Sequence, residues 1–226
     1  MSALFVSATG TDMGKTHVTA GLARTLRGLG IDTLALKPVA SGYDPAQAET
    51  SDPGLLLAAT GQARDAAAIA AISPWRFAAP LSPDMAARLE GERLQLTDIA
   101  AFCADRIARH RGATLIEGAG GLMTPVAEDG TCLDLIQALG CPALLVAGSY
   151  LGAISHALTA IEACAARGAA LAAVVVNETP GATVALDATL ESLRCFAPAT
   201  RFIAMPRGQN DAEAFQAIAR ACGFGG

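Results

Sequence analysis

A glycine-lysine-threonine triplet closes the run Ala8-Thr9-Gly10-Thr11-Asp12-Met13-Gly14-Lys15-Thr16. The run follows an apolar stretch of strand length and precedes a helical pattern. Backbone N–H groups in such a turn, and at the start of the helix it opens, point at one place and bind anionic oxygens. Gly14 lets the backbone approach a phosphate closely, Lys15 can reach the outer phosphates, and the Thr16 hydroxyl can ligate Mg²⁺. The usual spacing puts a glycine where this chain has Thr9, and Gly10 comes one place late. A glycine-rich turn that binds nothing is the plainer reading, but the strand before and the helix after favour phosphate. The loop argues for a nucleotide and leaves the reaction open.

Two further blocks narrow the chemistry. In Lys37-Pro38-Val39-Ala40-Ser41-Gly42 a lysine ends a buried strand, a costly place unless it faces a polar cleft. A cation beside a phosphate loop can hold a carboxylated intermediate or a transferring phosphoryl group; a snorkelling lysine at a strand end is the bland alternative. In Glu117-Gly118-Ala119-Gly120-Gly121 a carboxylate ends another strand, placed to ligate Mg²⁺ or a water of its shell, and the glycines let the backbone pass near a ligand. Asp52, in Thr50-Ser51-Asp52-Pro53, is a second possible carboxylate. Local sequence reads it instead as the N-cap of a helix over 54–60.

A second strand-to-helix turn runs through Tyr150-Leu151-Gly152-Ala153-Ile154-Ser155-His156. Its exposed N–H groups form a second anion site, separate from the first. Two such sites suit ATP on one side and a carboxylate-bearing substrate on the other, whereas an ordinary capped helix would bind nothing. His156 is a catalytic candidate by type, yet a lone histidine on a helix is more often structural. Asn177 has the amide pattern to recognise a purine edge, and Met205-Pro206-Arg207-Gly208 follows the last strand, where it can close over a base.

The elements that must position these residues alternate along the chain. Apolar runs predict strands at Ala3–Ala8, 33–39, Ala113–Glu117, Ala143–Gly148, Leu171–Asn177 and 200–205. Helical patterns fall at 15–29, 96–110, Cys132–Leu139, 153–167, 184–196 and 212–222. Strands with few charges, separated by helices, predict an α/β fold: a mostly parallel sheet with helices on both faces. With the phosphate loop, this is a three-layer architecture like that of the P-loop NTPases. Residues 41–97 break the pattern, being rich in Asp, Pro and Ser, with short helical pieces only near 54–60 and 84–89. They follow a strand, so they belong at the carboxyl edge of the sheet, where open α/β sheets bind ligands. We read 41–97 as a substrate-side excursion within one domain, 1–226.

Hydrophobic residues make up 52% and charged residues 16% of the 226 positions, which is core-rich. Much of the apolar content is Ala, and no apolar run reaches the roughly 20 residues of a spanning helix. The N-terminal Met1-Ser2-Ala3-Leu4-Phe5-Val6 lacks the basic start and long apolar middle of a signal peptide, so a cytoplasmic protein is expected. Cys103, Cys132, Cys141, Cys164, Cys195 and Cys222 form no C-x-x-C pair, against zinc and thioredoxin-like readings. A net charge of −5 and few aromatic residues argue against a nucleic-acid surface, and Arg109-His110-Arg111 reads as a helix end.

Taken in order, the phosphate loop, the Lys37 block, the Glu117 block, the 151–156 turn and Asn177 resemble the dethiobiotin synthetase family, over nearly the full length. The C-terminal part matches only loosely. The resemblance implies a homodimeric, Mg²⁺-dependent ligase of biotin biosynthesis. It would join CO₂ to 7,8-diaminononanoate through a carbamate and a carbamic-phosphoric anhydride, giving dethiobiotin, ADP and phosphate. Carried over residue by residue, it implies that Lys37, Lys15 and Thr11 act on the carbamate and the transferring phosphoryl. Thr16, Asp52 and Glu117 would hold the metal, which overrules the N-cap reading of Asp52. Asp12, Met13, Gly14, His17, Gly118, Ala119, Gly120, Asn177, Met205, Pro206, Arg207 and Gly208 would complete the ATP site. Ser41 would contact the diamine, and Gly152, Ala153 and Ser155 the distant carboxylate. The chain departs from the family at Ala8-Thr9, where Gly-Thr is common, and at Ser155, where Asn is common. It also has no Tyr in 184–196, where some members use one to reach across the dimer.

Three rivals fare worse. A partitioning or scaffold ATPase carries an extra lysine early in the loop, where this chain has Thr9-Gly10-Thr11. An amidoligase of the cobyrinate type needs a glutaminase domain for which the chain has no room. A nucleotide-binding module without chemistry has no use for Lys37 and Glu117 on one edge.

Overall fold

The computed structural model describes residues 3–208 and 211–224. Met1 and Ser2, part of the N-terminal stretch read above, lie outside them. In chain order the elements are β1 (Ala3–Ala8), α1 (Lys15–Gly28), β2 (Thr33–Leu36), β3 (Val39–Ser41), a 3-10 segment (Pro45–Thr50), α2 (Asp52–Thr60), α3 (Ala66–Ile72), β4 (Trp75–Phe77), α4 (Pro83–Leu89), α5 (Leu96–Arg109), β5 (Ala113–Glu117), β6 (Pro125–Ala127), β7 (Gly130–Thr131), α6 (Cys132–Leu139), β8 (Ala143–Gly148), α7 (Ala153–Ala166), β9 (Leu171–Asn177), α8 (Leu186–Phe196), β10 (Phe202–Met205) and α9 (Ala212–Ala221).

Six strands form one parallel sheet in the order β10-β9-β8-β1-β5-β2. β1 lies between β8 and β5, and all of its residues are buried. A strand covered on both faces reads as a continuous apolar run, which is why Ala3–Ala8 shows no alternation. The core is built from this sheet and the buried faces of α1, α2, α6 and α9, with Phe5, Leu22, Leu26, Leu57, Leu115 and Ile136 among its members. No helix among the described residues is long and apolar enough to cross a membrane.

Local chemistry sets several helix ends. The Thr131 hydroxyl accepts from the Asp134 N–H and the Asp134 carboxylate accepts from the Thr131 N–H, a reciprocal cap that starts α6. Ser51 accepts from the Gly54 N–H and starts α2, with Pro53 in its first turn. The helices α1 and α7 start differently, at left-handed glycines (Gly14, φ 91; Gly152, φ 98) with no side-chain cap. Their first N–H groups are therefore left for an external acceptor.

Three expectations are corrected. The strand expected over 33–39 stops at Leu36. Pro38 has no N–H to give a ladder, and Val39–Ser41 leaves the main sheet to pair in parallel with Trp75–Phe77. Residues 41–97 also hold more structure than the two helical pieces expected, adding the 3-10 segment, α3 and the β3–β4 pair. The helix at 54–60 begins at Asp52, so the N-cap is Ser51 and the Asp52 carboxylate is free to turn elsewhere.

Candidate active site

Three adjacent strands end on one edge. β1 runs into the phosphate loop, β2 into Lys37, and β5 closes on Glu117. Parallel neighbours present their carboxyl ends on the same side, so residues distant in sequence meet there. The Lys37 Nζ donates to Glu117 Oε1 at 2.6 Å and to the Gly118 carbonyl at 3.1 Å, and pairs with Asp52 Oδ2 at 2.8 Å. The Lys37 side chain is 4% exposed and that of Glu117 is fully buried. The Thr16 Oγ1 lies 2.8 Å from Asp52 Oδ1 and 2.9 Å from Glu117 Oε1. Asp52 arrives from α2, whose capping by Ser51 turns the first helical residue toward the loop.

Charge in this cluster follows from burial and proximity. Burial acts to depress the Lys37 ammonium, but the carboxylates of Glu117 and Asp52 outweigh it and hold its pKa above the ordinary lysine value. Burial also disfavours the Asp52 carboxylate, and here too Lys37, with the Thr16 hydroxyl, wins and holds it below the usual aspartate range. Lys15, buried beside the like charge of Lys37, is shifted down from the ordinary lysine value, with Glu117 opposing. Cys132 lies under the loop with Sγ on the Ala119 carbonyl at 3.2 Å; burial pushes it up to about 11, so it remains a neutral thiol.

The donor set fits a hard divalent cation. The single Thr16 proton faces two carboxylates, and Glu117 Oε2 is buried with no hydrogen-bond partner. Two carboxylates, one of them with a spare oxygen, and one hydroxyl beside a phosphate loop match the few protein ligands that Mg²⁺ takes when phosphates and waters fill the rest. Thr11, Asp12, Gly14, Lys15, Thr16, Lys37, Ser41, Asp52, Ala119 and Gly120 line the surrounding cavity of about 420 Å³.

A second cavity of about 400 Å³ adjoins it, sharing Asp12 and Gly14. It lies at the ends of β9 and β10, where Met205 pairs in register with Asn177. Its walls include Met13, His17, Asn177, Met205, Pro206, Arg207 and Gly208, all expected above for the ATP site. The Asn177 Nδ2 donates to the Met13 carbonyl at 3.0 Å, so the amide also anchors the phosphate loop. A Cβ at Gly14 would run into that amide, and its φ of 91° excludes most other residues. Asp12, at φ 60, is the non-glycine residue with positive φ among those described, which places backbone strain in the loop itself. Glu178 and Asp211 also wall this cavity and were not anticipated. Asp211 looks locally like a residue before a helix, and nothing in its neighbourhood signals a partner on α1.

The substrate-side turn is not brought to Lys37. Within the chain, Gly152, Ala153 and Ser155 line neither of these two cavities. Ser155 is exposed, and its carbonyl accepts from Thr159 inside α7. His156 lines a third cavity, about 500 Å³, that touches the loop through Thr9, Gly10 and Thr11 and is walled by Leu122, Met123 and Ala160. Its Nδ1 is 2.7 Å from the Tyr150 hydroxyl.

This arrangement defines a P-loop nucleotide-binding enzyme. A family model described as an AAA domain matches residues 2–210. The ATP-dependent dethiobiotin synthetase BioD of Caulobacter vibrioides (strain NA1000 / CB15N) is 48% identical over 93% of this chain and 94% of its own length. The enzyme of the same name from Acidiphilium cryptum (strain JF-5) is 50% identical over 85% of this chain and 87% of its own. The MinC:MinD cell division protein complex of Aquifex aeolicus shares the fold alone, with a TM-score of 0.55 and 12% identity, over 96% of this chain and 86% of that one. The chain belongs to the ATP-dependent dethiobiotin synthetase family. It is a ligase of the cyclo-ligase kind, and its reaction is the ATP-dependent synthesis of dethiobiotin in biotin biosynthesis.

Proposed function

We propose that the chain condenses CO₂ with 7,8-diaminononanoate through a carbamate that Lys37 and Lys15 hold for phosphorylation by ATP. The observation that carries this reading is the Lys37 ammonium, buried, charged and 2.6 Å from Glu117, beside a phosphate loop whose helix has no cap of its own. One substrate amine attacks CO₂, forms the new N–C bond and loses a proton. A carbamate oxygen then attacks the γ-phosphorus and ADP leaves, giving the carbamic-phosphoric anhydride. The second amine attacks the same carbon, the urea ring closes and phosphate departs.

The protein's part is positioning and charge neutralisation, which is what phosphoryl transfer needs. Lys37 faces the carbamate and incoming phosphoryl, with Thr11 alongside, and the loop N–H groups hold the phosphates. Ser41, on the cavity wall, takes the diamine end. Thr16, Asp52 and Glu117 would hold Mg²⁺, which would supply charge neutralisation to the bound phosphates. Asn177 and the 205–208 segment take the adenine. Residues 1–226 act as one synthetase domain, with 41–97 as its substrate-side excursion delivering Asp52 and Ser41.

In this reading the protein is a homodimer, and Gly152, Ala153 and Ser155 bind the substrate carboxylate at the partner's site. Support comes from the uncapped start of α7 and from Leu151 and Phe196, which are 86% and 73% exposed in the single chain. The proposed compartment is the cytoplasm, where six unpaired thiols are at home. The deciding experiment is ADP release from Mg-ATP and bicarbonate, with and without the diamine, with dethiobiotin assayed in the same tube. Diamine-dependent release with product supports the mechanism, and diamine-independent release overturns it.

A further inference from the structure

The C-terminal helix α9 packs against α1 at the nucleotide side of the sheet. Asp211, the residue before α9, walls the same cavity as Asn177 and Met205. Its Oδ2 is 3.1 Å from Nε2 of His17, which follows the metal-side Thr16 on α1. The His17 ring also rests on Phe215 of α9, centroids 5.6 Å apart and planes tilted by 54°. Phe215 is buried, and its ring fills a notch over Gly21, where any Cβ would overlap it. The Phe215 N–H in turn donates to the Asp211 carbonyl at 2.9 Å. The imidazole is thus fixed at two points, by a carboxylate at its edge and a ring beside it.

Folding alone does not explain this. The His17 and Asp211 side chains are 48% and 27% exposed, and pairs so exposed add little to stability. Their shared property is that both face the cavity between the phosphate loop and Asn177. We infer that α9 positions the nucleobase: His17 presents its imidazole to the base or ribose of the bound nucleotide, and Asp211 and Phe215 are positioning residues that hold the ring there, with Gly21 providing the seat. This inference rests on the reading that the Asn177 cavity takes adenine.

The test compares binding of ADP with binding of inorganic pyrophosphate, which carries the two phosphates without a base, by calorimetry on the full chain. His17→Ala, Asp211→Ala and Phe215→Leu should each weaken ADP by about tenfold, the scale of one stacked ring contact, and leave pyrophosphate within about twofold. Asp211→Asn, which keeps an acceptor for the imidazole, should retain most of the ADP affinity. In turnover, Phe215→Leu should raise KM for ATP while kcat at saturating ATP holds. Equal weakening of both ligands, or of neither, overturns the inference. If the unaltered protein binds ADP no more tightly than pyrophosphate, the adenine reading itself fails and takes the inference with it, a result distinct from a variant-specific failure.

Discussion

The two helices α1 and α7 begin alike and end up in different surroundings. Each starts at a left-handed glycine with no side-chain cap, and each follows a buried parallel strand of the same sheet. Around the start of α1 the fold gathers Lys15, Lys37, Asp52 and Glu117, buried or half-buried, with Lys37 paired to both carboxylates within 2.8 Å. Around the start of α7 it leaves Leu151, Gly152 and Ser155 open, with Tyr150 and His156 bonded to each other. Bare N–H groups therefore do not by themselves make a reaction. Chemistry needs opposite charges held out of water, where their interaction is strong, and only the first site has them.

Breaking the first site should have the largest effect. Lys37→Ala is expected to lower kcat by about a thousandfold while ADP binding persists, and near-normal turnover would remove Lys37 from the mechanism. It should also lower the melting temperature, because Glu117 is left charged and buried without its ammonium, at a cost of about 3–5 kcal/mol. Combining Lys37→Met with Glu117→Gln removes both charges and should recover most of that stability but none of the turnover. Next in size is Gly14→Ala, which meets both a left-handed backbone and the Asn177 amide. About a hundredfold loss of ADP affinity is expected from strain of 1–3 kcal/mol plus the collision, read by titration calorimetry.

Asp52→Asn should raise the Mg²⁺ concentration for half-maximal activity by about tenfold. The same variant tests the charge of the cluster. The folded-state pKa of Asp52 is depressed, so its ionised form stabilises the fold above the ordinary aspartate value of 3.8, and that contribution is lost as pH falls through the lower, folded value. Acid unfolding should therefore be less steep in Asp52→Asn than in the unaltered chain. The smallest effect belongs to the second helix start. Ser155→Ala should change KM for the diamine by no more than about twofold, because in the proposed dimer backbone N–H groups carry the contact. A large rise would show that the hydroxyl matters and would make the two starts more alike than they look.

The strands of the central sheet were legible because burial on both faces writes them as apolar runs with abrupt ends. Ala113–Glu117 stops at a carboxylate and Leu171–Asn177 at an amide, and both have the expected bounds. The run through Lys37 misled because Val39 and Ala40 are apolar and buried. They are buried against β4, whose pairing spans more than thirty positions and has no local trace. Asp52 misled for the opposite reason: Ser51 and Asp52 are both good caps by type, and the choice between them is made by Thr16 and Lys37 from outside the helix. Asp211 and Phe215 gave no signal, since their partners His17 and Gly21 lie at the other end of the chain.

By itself the sequence determined that a phosphate loop joins a buried strand to a helix, that strands and helices alternate around a parallel sheet, and that Lys37, Glu117 and Asn177 stand at or just past strand ends. Those features follow from local periodicity and from the few residue types a tight anion-binding turn tolerates. Only the tertiary structure decided that Lys37, Asp52, Glu117 and Thr16 share one cluster and that Asp211, just before α9, walls the cavity beside Asn177. The reason is the strand order: β1, β5 and β2 are neighbours in space though the chain visits them far apart, and a 2.6 Å contact across 80 positions is a property of that packing rather than of any stretch of sequence.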